Sequence, residues 1–445
     1  MTGPGAEPTT ATRPATPPRA PGAVAGAPGG MTPSAGALPL AAEHFAASML
    51  YLIAGAAGLV WIAPELAAGA YPSPHVAGIT HLFTLGWLTT TIFGALCQLL
   101  PVALGAPIRS TRIAHASFFT FAPGVGLFAA GVATSYTPLH HAGIALVGTG
   151  VLLVVGNVAA SLPRARARDV TWAAVALAIT FLASTLVLGI ILLHNLHTGF
   201  IAGARVRVLA THLHVAIVGW ALVMIVGVSH RLLPMFLLAH GADTRWTRRA
   251  LALLAGGVVA LAVGLATPIA SVAWLGALLL EGGVACFLWQ VHAFHRVRVR
   301  RKIDVGMRFA LTALGFLAAS AVMGPAVLAM GPAHARLATA YVATGLLGGI
   351  VLYVVGFFYK IVPLLAWTAH FRGRMGSGPV PTVAEMYSAR LAHVQLALMA
   401  LGVALLVGGI VGAAPHVARC GAVLFLVGVL VFTTQIARVA HGGRK

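Results

Sequence analysis

The chain has 445 residues, of which 59% are hydrophobic and 8% charged, and its mean hydropathy of +0.94 excludes an ordinary soluble domain. Its formal net charge of +20 would suit nucleic acid, but the cations are spaced along the chain in a way that argues against that partner. The cysteines Cys97, Cys286 and Cys420 lie in apolar stretches without metal-site spacing, which argues against a disulfide framework or a zinc ribbon.

Residues 1–38 are rich in Pro, Gly, Ala and Thr and are expected to form a disordered cytoplasmic tail. They lack the apolar core of a cleaved signal peptide. Residues 39–440 are expected to form a single all-α domain with about twelve transmembrane helices, since about 20 apolar residues cross the hydrocarbon core. The predicted spans are 43–63, 76–104, 113–135, 139–162, 170–194, 209–238, 250–267, 271–293, 307–330, 336–366, 390–412 and 416–438. Residues 441–445 follow as a short cytoplasmic tail. Cations concentrate after the even-numbered spans, at Arg109 and Arg112, Arg164 to Arg168, Arg245 to Arg249, Arg296 to Lys302, Arg372 and Arg374, and Arg438 to Lys445. That bias places both termini in the cytoplasm of a multi-pass protein of the bacterial inner (plasma) membrane. The expected partner of the charge is thus the lipid bilayer, with no nucleic acid.

A segment in the second span returns in the sixth, 133 residues later. Thr80 to Pro101 reads THLFTLGWLTTTIFGALCQLLP, and His212 to Pro234 reads HLHVAIVGWALVMIVGVSHRLLP. Gly86 aligns with Gly219, Trp87 with Trp220, Gly94 with Gly227, Pro101 with Pro234 and His81 with His214. A fainter copy lies 129 residues further on, where Gly356, Tyr359, Lys360 and Pro363 follow Gly227, His230, Arg231 and Pro234. RIAHASFFTFAPG, from Arg112, and RLAHVQLALMALG, from Arg390, form a second echo, which pairs His115 with His393. The spacing predicts three pseudo-repeated four-helix arcs, with helices two, six and ten at the centre.

Twelve helices in three arcs, with histidines on the central ones, resemble the catalytic subunit of the heme–copper oxidase and nitric oxide reductase superfamily. HLHVAIVGW is similar to the His-x-His and Gly-Trp run of the C-type oxidases. The resemblance implies a high-spin heme on His212, a low-spin heme on His214, and His81 on helix two as the other low-spin ligand. It also implies propionate-binding arginines, at Arg419 between helices eleven and twelve. The chain departs from that family on helix ten, which has Tyr341 and Ala343 where the family has His-x-His, and on helix seven, which has no copper-binding histidines. It therefore looks like a divergent relative, of the kind represented by the NnrS-like heme and copper membrane proteins.

Topology sorts the histidines by depth. Helices two and six run inward, so His81 and His214 lie at matched depth, about 8 Å in at ~1.5 Å per residue. They are expected either to ligate one b-type heme in the outer leaflet or to hydrogen-bond neighbouring carbonyls. His212 is two residues from His214, about 200° around the helix, and faces another site. That site, a second heme or a copper, would draw on His194 and His197, which share a helix face; the alternative is that these helix-end histidines bind nothing. Arg205 and Arg207, like Arg419, are candidate partners for heme propionates, or else for lipid headgroups. Near the cytoplasmic face, His115, His230, His393, Tyr359 and Cys97 could gather for quinol or metal, whereas His230, Arg231 and Lys360 could instead snorkel to headgroups. Glu281 is a carboxylate deep in helix eight, placed either to pass protons or to bond a neighbouring helix.

The expected function is a heme-binding membrane protein of electron transfer or oxidoreductase chemistry. A c-type cytochrome, cupredoxin or quinol would be the electron donor, and small partner subunits would accompany it. The competing expectation is a metal, heme or gas transporter or sensor on the same scaffold.

Overall fold

The computed structural model describes residues 1–3, 37–239, 241–331, 334–375 and 378–443. Most of the expected tail at 1–38 thus lies outside the described residues, as do residues 444 and 445. Among the described residues, twelve helices are long and apolar enough to cross a membrane. Helices one to six span Pro39–Ala67, Pro74–Ala103, Thr111–Ala133, Thr137–Arg164, Val170–Thr198 and Arg205–Leu237. Helices seven to twelve span Arg245–Ala266, Ala270–Arg296, Val305–Met330, Ala335–Arg374, Ala389–Val411 and Pro415–Ala440. Arg419, expected in a loop, therefore sits inside helix twelve, because Pro415 already starts that helix.

The three arcs are visible in the packing. In each, the third and fourth helices form an antiparallel pair held together by glycines. Gly131, Gly264 and Gly409 take the same place in the three pairs, and a Cβ there would lie 2.3, 2.2 and 2.4 Å from a backbone nitrogen of the facing helix. Lipid tails are as apolar as leucine, so close backbone approach rather than apolar burial holds such pairs together. The spacing between the second and third arcs grows from 129 residues on the central helices to 145 at these glycines. The added chain lies between helices ten and eleven, where a single short turn, Val383–Met386, interrupts the loop.

Helices two, six and ten each contain an eight-residue π-helical stretch, Leu82–Thr89, Val215–Leu222 and Thr344–Val351. These recur at the 133- and 129-residue spacing of the sequence repeat. Each has a glycine pressed beneath an aromatic ring from the first helix of its arc. Gly86 lies under Tyr51, Gly219 under Phe181 and Gly348 under Phe316, where a Cβ would approach the ring-bearing side chain to 2.6, 2.7 and 2.5 Å. In helix two the widened turns are supported by side chains: the Thr89 and Thr90 hydroxyls donate to the carbonyls of Thr84 (2.8 Å) and Leu85 (3.0 Å), five residues back.

The central helices are joined pairwise. The Trp220 indole N–H donates to Thr89 Oγ1 at 3.0 Å, tying helix six to helix two. The hydroxyls of Ser229 and Tyr353 lie 2.6 Å apart between helices six and ten. Trp87, fully buried, packs on Phe358 with ring centroids 4.9 Å apart, joining helices two and ten. At the basic end, Arg231 and Lys360 do not reach for headgroups. Arg231 pairs with Asp169 and Lys360 with Asp304. The two aspartates also cap helices five and nine, accepting from Thr171 N at 2.9 Å and Met307 N at 3.2 Å. A carboxylate suits a helix N-terminus, and from there it offers these cations a partner within the protein.

Candidate functional site

Each pair of central helices bounds a compartment, closed by the outer helices between them. The first lies among helices two to six, the second among six to ten, and the third among ten, eleven, twelve, one and two. Two positions on each central helix decide what a compartment contains. One directly precedes the π stretch and is His81, His214 or Ala343. The other lies two residues earlier and is Ile79, His212 or Tyr341. Residues two apart point about 200° away from each other, so each central helix serves the compartments on either side.

The first compartment thereby receives His81 from helix two and His212 from helix six. The two are close enough for their charges to interact. The Nδ1–H of His81 donates to the Ala77 carbonyl at 2.7 Å, which leaves Nε2 as the free nitrogen, and its ring meets Phe128 of helix three edge-on at 5.0 Å. His212 Nδ1 is buried and makes no well-aligned hydrogen bond among the described residues, while the ring approaches the Thr185 carbonyl. Gly189 of helix five makes room for this ring, since a Cβ there would lie 3.3 Å from His212 Cε1. Both imidazoles sit deep among the helices and keep a minor part of their surface accessible.

The second compartment holds His214, Tyr341 and Glu281. The His214 Nδ1–H donates to the Ala210 carbonyl at 2.8 Å, and its Nε2 accepts from the Tyr341 hydroxyl at 3.1 Å. The carboxylate of Glu281 approaches the same tyrosine ring across Gly324, whose missing side chain would touch Oε1 at 3.2 Å and Tyr341 Cε2 at 3.7 Å. All three residues line a cavity of about 70 Å³. The sequence reading pairs His81 with His214. The structure instead puts His212 on the side of His81 and turns His214 toward helix ten. Tyr341, which the sequence reading treats only as the replacement for a missing histidine, is the residue His214 meets.

The third compartment receives Ala343 and Ile79 and is packed with side chains. Ile79 fits against Gly58 of helix one, where a Cβ would lie 2.3 Å from Ile79 Cδ1. Phe83 meets Phe425 at 6.2 Å, and Trp87 meets Phe432 at 6.0 Å.

The remaining candidates are dispersed. His194 is exposed beside Phe200, at 5.4 Å, and does not join His212. His197 instead meets His140 and His141 of helix four, and the ligand nitrogens of the three lie within 4.8 Å of one another. A His-His dipeptide at the start of helix four was the signal for this group, readable once helices four and five are neighbours. Arg205 opens helix six seven residues before His212 and on the same face, ~10 Å nearer the membrane surface. Arg207 stands in the same relation to His214, and its Nε is buried without a hydrogen-bond partner. Arg419 is exposed on helix twelve. The suggested inner cluster is not assembled: His115 bonds Glu43 at 3.0 Å, His230 lies 3.4 Å from Thr247, and His393 bonds its own helix at Ala389. The Tyr359 hydroxyl is held by Gln395 and Gln435, and Cys97 lines a separate cavity of about 30 Å³ with His44.

No protein-family model and no curated protein matches the sequence. The structure, however, is similar to that of a heme-copper terminal oxidase solved by cryo-EM as a dimer. The similarity covers 92% of this chain and 84% of that one, with a TM-score of 0.63 and 12% sequence identity. The likeness establishes the fold. It agrees with the twelve-helix architecture.

Proposed function

We propose that the chain is a heme-binding membrane protein of electron transfer or oxidoreductase chemistry, with a b-type heme in the first compartment held by His81 and His212. The observation that carries this reading is the meeting of two histidines from neighbouring central helices, His81 and His212, in the first compartment, each with part of its ring accessible. The residues fit an axial pair. His81 has its Nδ1–H committed to the Ala77 carbonyl, the arrangement that leaves Nε2 to a metal, and the His212 ring likewise approaches a carbonyl, that of Thr185. A heme iron held by these two imidazoles would supply single-electron transfer.

The chain's other residues would orient and insulate the group. Phe128 and the gap at Gly189 set the ring positions, and Arg205, above His212 on the same face, would pair with a carboxylate at the membrane surface. With the basic ends of the helices inside, the site opens toward the outer side of a bacterial inner membrane, where a c-type cytochrome or cupredoxin could deliver electrons. Helix seven contributes apolar Leu254 to the second compartment, so the residues there do not fit the copper centre that the family resemblance implies. Instead, Glu281, Tyr341 and His214 line up an acid, a phenol and an imidazole, a set able to hold and relay a proton.

The cavity around that set favours a second reading, a transporter or sensor for a small molecule or metal. Purified full-length protein separates the two. The heme reading expects sharp redox-active α and Soret bands and one iron per chain, lost in His81→Ala and in His212→Ala. Colourless protein from cells well supplied with heme, together with metal uptake into vesicles, would overturn it.

A further inference from the structure

We propose that His140, His141 and His197 form a binding site for a copper or zinc ion at the outer end of the first compartment. The three ligand nitrogens lie within 4.8 Å of one another, and His140 Nε2 and His197 Nε2 are 3.0 Å apart. Nitrogens ~2.0–2.1 Å from a tetrahedral zinc stand about 3.3 Å from each other, so small rotations of exposed rings would close the set on an ion. Imidazole donors without thiolate or carboxylate suit copper(II) and zinc. Three protein ligands leave a position for water or for an incoming ligand.

The backbone prepares this arrangement. Helix five ends at Gly199, left-handed at φ +67, with its N–H bonded to the Asn195 carbonyl at 2.9 Å, which places His197 in the last turn. Gly131 lets the backbone of His140 approach helix three, as the Cβ distance of 2.3 Å shows.

The repeat supplies an independent argument. At the place of His140, the other two arcs have Ala273 and Ala418 against Gly264 and Gly409. The fold therefore packs this corner with alanine. Yet His140 is buried to 3% exposure, its ring is also bonded to the Gly131 carbonyl, and it directs its Nε2 to another imidazole. Packing does not require a histidine there, and a nitrogen donor aimed at two others is what a metal requires.

The test titrates the full-length chain in detergent, stripped with chelator, with copper(II) alone and with zinc(II) alone. Wild type is expected to bind one ion tightly, and copper(II) to show nitrogen hyperfine structure in its electron paramagnetic resonance spectrum. His141→Ala and His197→Gln change exposed side chains, and each is expected to weaken binding at least about 100-fold, beyond what loss of an outer-shell partner costs. His194→Ala, one turn away and exposed, is the control. If the control weakens binding as much as the others, or if none of the three does, the site is overturned. His81→Ala and His212→Ala report separately on the heme: they are expected to remove its bands while copper binding persists.

Discussion

The first and third compartments are built from the same repeat and contain opposite chemistry. Both lie beside helix two, and both are framed by a glycine-packed hairpin and a π-helical central segment. In the first, His81 and His212 enter from neighbouring central helices, and Gly189 leaves space for the His212 ring. In the third, Ala343 and Ile79 occupy the equivalent positions, and Phe83, Phe425, Trp87 and Phe432 fill the volume. The repeated backbone thus frames each compartment alike, and the side chains at these positions set its contents. The second compartment is intermediate, since His214 meets Tyr341 and Glu281 lines the remaining space.

The largest effect that would break this contrast comes from the histidines themselves. His81→Ala and His212→Ala should each abolish the heme spectrum, whereas His214→Ala should leave it, as read by absorption and pyridine hemochrome assay. A spectrum lost with His214 and kept without His212 would move the heme to the other side of helix six. Next in size, Gly189→Leu should reduce the heme-to-protein ratio several-fold without disturbing elution of the protein, because the new side chain starts 3.3 Å from His212 Cε1. Tyr341→Phe and Glu281→Gln should leave the bands in place, and a band shift would show a second heme in the second compartment.

Smaller effects concern the frame. Trp220→Phe removes the hydrogen bond to Thr89 and should lower stability in detergent by about 1 kcal/mol, measured by thermal unfolding. Arg231→Ala, which loses a half-exposed pair with Asp169, should cost less, about 0–1 kcal/mol in the same assay.

Much of the architecture was legible in the residues. Long apolar runs must be helices in a bilayer, where backbone groups cannot go unbonded, and the cation bias marks which ends are alike. The alignment of His81 with His214 located the central helices because each repeat needs a small residue at the same depth, at Gly86, Gly219 and Gly348. The fate of Arg231 and Lys360 was not legible. Snorkelling and pairing to Asp169 or Asp304 look the same along the chain, and only the loop geometry brings the carboxylates within reach.

The sequence by itself determined the number of spans, the threefold order and the set of histidines at matched depth, since all three follow from periodicity and hydropathy. The tertiary structure alone decided which compartment each histidine enters. His212 and His214 lie on opposite faces of one helix, so their partners depend on how helix six is rotated, and a repeat alignment contains no rotation. It also decided that His140 and His197, 57 residues apart, meet at one point. Contacts between helices are set by packing at glycine seams, and the identity of the facing residue is invisible until those seams are closed.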